Sequence, residues 1–196
     1  TMQPGDVYVL NDPYKGGTHI NDITFLSPIF FDGDIIAFAV SRGHWMDLGG
    51  GAAGGQAFGG THIAGEGLRL PPLKLFDAGK VREDLLAIIL NNTRTPFYVK
   101  GDTQAHVGAL KAATQEMERA AEKYGMATLK AAMKQLQEYT ERIVRKSIAE
   151  MPDGEYEAEE YADTDGHSDK PIPIKVKLII KGTDIIVDFS GTPGVV

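Results

Sequence analysis

NDPYKGGTHINDITFLSPIFFDGDIIAFAVSRGHWMD, residues Asn11 to Asp47, is the stretch from which the fold can be read. Two runs rich in β-branched and aromatic residues, Ile23 to Phe31 and Ile35 to Val40, flank Asp32-Gly33. Asp-Gly between such runs is a strong hairpin signal, so the stretch reads as two antiparallel strands. Pro28 argues for an edge position or a bulge in the first of them. Two of the five histidines sit here, each followed three residues later by a carboxylate: His19 with Asp22, and His44 with Asp47. A turn at 32–33 sets Asp22 to Thr24 opposite residues 41–43, which brings His44 beside the His19–Asp22 segment. A bulge at Pro28 would shift this register by one residue and turn side chains to the other face. Two imidazoles and a carboxylate converging on a point form a donor set for a divalent metal. The same residues also suit hydrogen-bonded anchoring of loops, because the HxxD spacing is not a specific motif. Spacing alone leaves both readings open. Asp47 is a candidate ligand, an acceptor that orients an imidazole, or a general base.

Working outward, Val7 to Leu10 reads as a short strand and Asn11 to Thr18 as a turn-rich loop, with Asp12 placed to position it. Residues 48–67 are dense in glycine. They suit a linker, or a loop whose backbone approaches a ligand closely; a start directly at the His44–Asp47 pair favours the second. His62 and Glu66, four apart beyond the flexible stretch, are candidate acid or base groups if the loop folds back, and surface residues if it does not. Leu68 to Phe76 is extended, and 77–80 turns the chain. Helices follow: Val81 to about Leu90, then one capped at Asp102 or Thr103 and ended by Gly125, then Ala127 to Ala149. The last two carry apolar stripes (Val107, Leu110, Met117; Leu129, Met133, Leu136, Ile143) and share a single turn, which suggests an antiparallel pair. Glu155 to Tyr161, Ile172 to Leu178 and Ile185 to Phe189 make a β-hairpin or meander. The expected class is therefore α+β: an N-terminal β-hairpin layer, a glycine-rich loop, a central antiparallel helical pair and a C-terminal β-hairpin. The expected regions are 1–80, 81–151 and 152–196. Both ends read as cut from a longer subunit.

Composition narrows the function. The chain has 196 residues, 42% of them hydrophobic, enough for a sizeable core. A net charge of -7 without a basic patch argues against nucleic-acid binding. Absence of cysteine excludes disulfides, thiolate metal sites and a cysteine nucleophile, and fits a cytoplasmic protein. No apolar run reaches the roughly 18–20 residues that span a bilayer, so no membrane partner is expected. The glycine loop is followed by no Gly-Lys-Ser/Thr, and no dinucleotide fingerprint opens a helix, so no ATP site of the chain's own is expected. There is no Gly-x-Ser-x-Gly elbow. Asp163, Asp165 and Asp169 lack the glycine and glutamate offsets of a calcium loop and read as a solvated turn. His106 and His167 read as structural or exposed.

Taken in order, the blocks GDVYVLNDPYKGGTHINDI, RGHWMDLGG, EGLRLPPLKLF, NNTR, GDTQA and VDFSGT resemble the hydantoinase B / 5-oxoprolinase family, along essentially the whole chain. That family includes N-methylhydantoinase B components and the large subunits of acetone and acetophenone carboxylases, all several hundred residues longer. The resemblance implies a two-step reaction. A partner module of the hydantoinase A type binds ATP and phosphorylates the substrate, and the B module completes hydrolysis of a cyclic amide, or carboxylation of a ketone. Through its carboxylase members it further implies a divalent ion, manganese or zinc, at the positions of His19, Asp22 and His44. The NDPYKGGTHIND and GHWMD motifs are intact, so those three residues carry over. Asp47, His62 and Glu66 remain candidates from chemistry alone. An oligomeric, multisubunit assembly is expected, with no turnover by this chain alone. A rival of a different class is a subunit-contact fragment without activity, held through the helical pair.

Overall fold

The computed structural model describes residues 1–55 and 60–194; positions 56–59, part of the expected glycine loop, lie outside the described residues. Two compact units divide the chain, Thr1–Gly125 and Met126–Val196.

The first unit is built on an antiparallel sheet of five strands: β1 Val7–Leu10, β2 Asp22–Phe31, β3 Asp34–His44, β4 Leu73–Asp77 and β5 Lys80–Val81, in the order β3-β2-β1-β4-β5. The β2–β3 hairpin turns where expected. Asp32 and Gly33 both hold positive φ, 50° and 88°, the I′ handedness that matches the twist of the flanking strands. One residue of bulge follows. Phe30 pairs with Ile35 but Ile29 pairs with Ala37, which leaves Ile36 without a partner. From there the ladder is regular to Asp22 opposite His44. Without the extra residue Asp22 would face Gly43, and His44 would turn to the opposite side of the sheet. Pro28 lies beside this bulge, past Leu26 where the β1 partners end, so β2 is paired on one side only there.

Alternation then sorts the side chains. Ile23, Phe25 and Ile29 enter a core with Val9, Leu75, Ile89, Val99 and Leu110. Each such side chain, withdrawn from water, contributes about 1.5–3 kcal/mol. Asp22 and Thr24 on β2, with Arg42 and His44 on β3, take the other face. At the start of the central strand β1, Asp6 is fully buried and joins three segments. The amides of Gln3 and Ala78 donate to it at 3.0 Å each, and Lys74 Nζ lies at 2.9 Å.

Helix α1, Glu83–Asn91, opens with Glu83 and Asp84 at its positive end and buries Leu85 and Ile89, one turn apart. Helix α2 runs Pro96–Tyr124. It starts six residues before the expected cap at Asp102, because a proline in the first turn has no N–H to lose and its fixed φ suits a helix start. Its buried residues Val99, Thr103, Leu110 and Ala121 share one face, and the helix packs on β2 and β3.

In the second unit helix α3, Met126–Ala149, contacts β8, and Ile148 is buried. Strands β6 Gly154–Ala162, β7 Ile172–Lys181 and β8 Asp184–Asp188 form a sheet in that order. Of the expected β-hairpin or meander the chain forms the three-stranded meander, since the acidic and bulky alternation of 155–161 pairs with β7 from Gly154 opposite Ile180 to Ala162 opposite Ile172. Leu136, Ile143 and Val144 on α3 are exposed. No helix among the described residues is long and apolar enough to cross a membrane.

Candidate metal centre

Among the described residues one group of histidine and acidic side chains gathers its ligand atoms within 4.8 Å of one another: His19, Asp22 and His44. Asp22 and His44 are cross-strand partners on the open face of the sheet, and His19 comes from the loop before β2. Asp22 stands between the imidazoles. Its Oδ1 lies 2.7 Å from His44 Nδ1 and its Oδ2 3.1 Å from His19 Nδ1. Thr18 Oγ1 and the His19 amide also donate to Oδ2. The Thr18 hydroxyl above all, then His44 and the His19 amide, outweigh burial and hold this carboxyl well below the usual carboxylate range. It is therefore ionised, as a ligand must be. The group opens to solvent: the side chains of His19 and His44 are 82% and 56% exposed, that of Asp22 only 17%.

The donors fit a divalent ion. Two nitrogens and one oxygen suit Zn²⁺ or Mn²⁺. Ligands about 2.1 Å from an ion at tetrahedral angles stand about 3.4 Å from each other. Each imidazole is already near that spacing from the Asp22 carboxylate, while the three ligand atoms together span up to 4.8 Å, and the exposed His19 ring has room to turn.

What holds the group in place lies beneath it. Asn21, buried, extends the ladder one step past Asp22: Trp45 N donates to its carbonyl at 2.8 Å, and its Nδ2 donates to Trp45 O at 2.8 Å and Gly54 O at 3.1 Å. The glycine loop rests directly on this amide. A Cβ at Gly55, where φ is +70°, would lie 2.3 Å from Asn21 Oδ1. The described flanks of the loop fold back on each other, with Gly51 N bonded to Gly65 O and Leu68 N to Leu48 O. These flanks are therefore packed rather than a free linker. From α2, His106 packs under β3. It stacks on Phe25 at 4.7 Å, its Nδ1 lies 2.8 Å from Ser41 Oγ, and its Nε2 accepts from Trp45 Nε1 at 3.4 Å. Burial lowers its pKa, in keeping with the neutral ring that an accepting Nε2 requires.

The remaining candidates fall elsewhere. Asp47 is buried beneath the glycine loop. It accepts from the amides of Gly49, Gly54 and Arg94 and from Arg94 Nη1 at 2.7 Å, with Thr93 Oγ1 at 3.4 Å. Burial opposes its charge, but the Arg94 amide, the Gly49 amide, the Arg94 guanidinium and the Gly54 amide prevail and lower its pKa to about 2. Arg94 also reaches the carbonyls of Gly49 and Gly50 at 3.1 and 2.7 Å. Asp47 and Arg94 together form the clasp of the loop. His62 is exposed and its Nδ1 accepts from Ala64 N, capping a turn at Ile63–Gly65; Glu66 closes that turn and is exposed. Neither joins the three-residue group. Asp12 accepts from Tyr14 N and lies 3.6 Å from Arg69 Nε, holding the loop that leads to His19. His167 is exposed, its amide donating to Asp165. Sequence reasoning did not single out Asn21 or Arg94. The only signal was their place in the NDI and NNTR blocks.

Fold and site together describe an α+β protein that presents a His–Asp–His group on the open face of a hairpin. All 196 residues match the model of the Hydantoinase B/oxoprolinase family, and the chain belongs to that family. It is 34% identical over 197 residues to a protein described as the B component of a putative D-/L-hydantoinase, from Pseudomonas sp. (strain NS671), covering 98% of this chain and 33% of that one. The crystal structure of the ATP-dependent caprolactamase from Pseudomonas jessenii superposes with a TM-score of 0.90 at 31% identity, over 95% of this chain and 32% of its own. Nucleotide-free acetone carboxylase shares the fold, with a TM-score of 0.89 at 19% identity over 97% of this chain and 27% of its own. The chain spans about a third of the length of the curated relatives it matches first.

Proposed function

We propose that this chain is the metal-bearing part of an ATP-dependent amidohydrolase that opens cyclic amides. One observation carries the reading: His19, Asp22 and His44 converge within 4.8 Å on a hairpin whose register is set by a single bulge. The names of the relatives supply the substrate class, since hydantoins, caprolactam and 5-oxoproline share an amide closed into a ring. ATP would be bound by a partner module of the hydantoinase A type. A ketone carboxylase is the weaker reading, because acetone carboxylase supports it through fold alone.

In this reading His19, Asp22 and His44 hold a Zn²⁺ or Mn²⁺ ion, which when bound polarises a carbonyl oxygen or acidifies water. The chain's own residues do the rest. Asp22 stays ionised through Thr18 and both imidazoles. Asn21 and His106 fix the backbone on either side of the ligands. The clasp of Asp47 and Arg94 holds the glycine loop against Asn21. Asp47 serves this architecture rather than proton transfer, since its oxygens are already taken by amides and a guanidinium. His62 and Glu66 remain solvent-side candidates for acid–base work.

Elemental analysis by mass spectrometry tests the reading. The purified chain should hold close to one Mn or Zn, lost in Asp22→Ala and His44→Ala and weakened in His19→Ala. A wild type that stays empty after incubation with Mn²⁺ and Zn²⁺ would refute it. Exposed Leu136, Ile143 and Val144 on α3 favour the second reading, a subunit-contact fragment. It predicts loss of assembly in Leu136→Glu with no metal in any sample.

A further inference from the structure

The open face of the hairpin carries a cation to which the centre described above gives no role. Arg42 lies two residues before His44 on β3 and opposite Thr24, as His44 lies opposite Asp22. Side chains two apart on a strand share a face about 6.6 Å from each other, so Arg42 stands next to the three-residue group. Its root is fixed. Nε donates to Thr24 Oγ1 at 2.7 Å, and Nη2 to the carbonyl of Gly16 at 3.2 Å, in the loop that leads to His19. Both partners are neutral.

The other arginines of this unit behave differently. Arg69, Arg82, Arg94 and Arg119 each meet a carboxylate. Among the described residues no carboxylate pairs with Arg42. Asp22, the acid diagonal to it across the strands, is taken by Thr18, His19 and His44. A guanidinium has five N–H donors in a planar fork, and the two bonds above use two of them. The remaining edge is exposed, held in orientation, and beside the centre. Farther along the same face of β3, Val40 and Phe38 are exposed, 58% and 49%, which offers an apolar floor for a small ring.

We propose that Arg42 is the subsite for an anionic group, phosphoryl or carboxylate, on a substrate whose reacting carbonyl lies at the His19–Asp22–His44 group. The proposal rests on the reading of that group as a metal centre. The two anions have different origins: phosphoryl would come from activation by ATP, carboxylate from the cyclic amide itself.

Calorimetric titration of the Zn²⁺-loaded chain tests this, with metal content measured on every sample. The probes are inorganic phosphate, 5-oxoproline, and 2-pyrrolidinone, which has the same ring without the carboxylate. The wild type should bind at least one anion roughly tenfold more tightly than 2-pyrrolidinone, the scale of one charge-assisted pair. Arg42→Gln should lose this preference and keep its metal, while Arg42→Lys, which keeps the charge but not the fork, retains part of it. The anion whose affinity falls identifies the source. An Arg42→Gln chain that binds both anions like the wild type overturns the proposal. So does a wild type without the preference, or loss of metal in both variants, which would make Arg42 a brace for the Gly16 loop. A wild type that takes up no metal yet prefers an anion through Arg42 fails the metal reading and leaves the anion subsite standing.

Discussion

Replacing Asp47 with asparagine should remove a defined and pH-dependent part of the stability of the first unit. The carboxylate is 3% exposed and serves amides from both sides of the glycine loop and the turn before α2. Its pKa falls from 3.8 to about 2 on folding. At about 1.4 kcal/mol for each pH unit, that interval corresponds to about 2.5 kcal/mol of preferential binding to the ionised form. A group with a depressed folded pKa contributes stability that is fully present above its unfolded value and lost as pH falls through its folded value. The contribution is thus complete at pH 7, reduced to about half near pH 3, and gone below about pH 1. Asparagine has nearly the same shape but no charge, and it turns an N–H₂ toward existing donors. We expect Asp47→Asn to lower unfolding free energy by about 2–3 kcal/mol at pH 7 and by about half as much at pH 3. Urea denaturation of metal-free wild type and variant, followed by Trp45 fluorescence from neutral to acid pH, measures both. Comparing the two chains cancels the titration of Asp6 and Asp22, which also have lowered values. A variant within 0.5 kcal/mol of wild type at pH 7, or a difference that does not shrink with acid, would refute the account of Asp47 as the loop's clasp.

Gly55→Ala would drive a methyl group into the Asn21 amide at a positive φ; we expect a loss of about 1–2 kcal/mol and weaker Zn²⁺ uptake, read by denaturation and metal titration. Gly17→Ala, whose Cβ would lie 2.3 Å from Asn11 O, should displace the loop holding His19, and circular dichroism melting should show a lower midpoint. His106→Ala should cost about 1–2 kcal/mol through the lost Phe25 stack and Trp45 bond. Because burial lowers the pKa of His106 below 6.5, the wild type should also lose stability as pH falls through that range, and the variant should lose less. Arg94→Ala should loosen the glycine loop, and limited proteolysis within residues 48–55 should accelerate while the β2–β3 hairpin stays intact.

Most strands and helices were legible because their signals are local. Asp32-Gly33 between two apolar runs has few alternatives, and the α1 and α3 patterns repeat at helical spacing. The start of α2 was not legible, since Thr95-Pro96 looks like a break until one knows that proline occupies the first turn. The convergence of His19, Asp22 and His44 could be read only to within one residue. Pro28 hinted at a bulge, but whether Ile36 or a neighbour is the unpaired residue depends on packing of the core face, where Ile29 and Ala37 must point together. Asp47 was legible as important and not in its role. Its spacing from His44 suggested chemistry, whereas its partners Arg94 and Thr93 lie 46–47 residues away. Sequence distance hides such bonds, because only the folded path of the chain brings them within reach.

The closed base of the glycine loop has a consequence for how this architecture can vary. Gly51 joins Gly65, and Leu48 joins Leu68, by main-chain bonds that involve no side chain. That base is also held from below: Gly54 bonds to Asn21 and Asp47, and Gly55 lies against the Asn21 amide. Doubling the length of a loop closed at such a base costs only about 0.6 kcal/mol. Related chains are therefore free to add residues where this base is left intact, whereas a change at Gly54 or Gly55 reaches the ladder that sets His44 opposite Asp22.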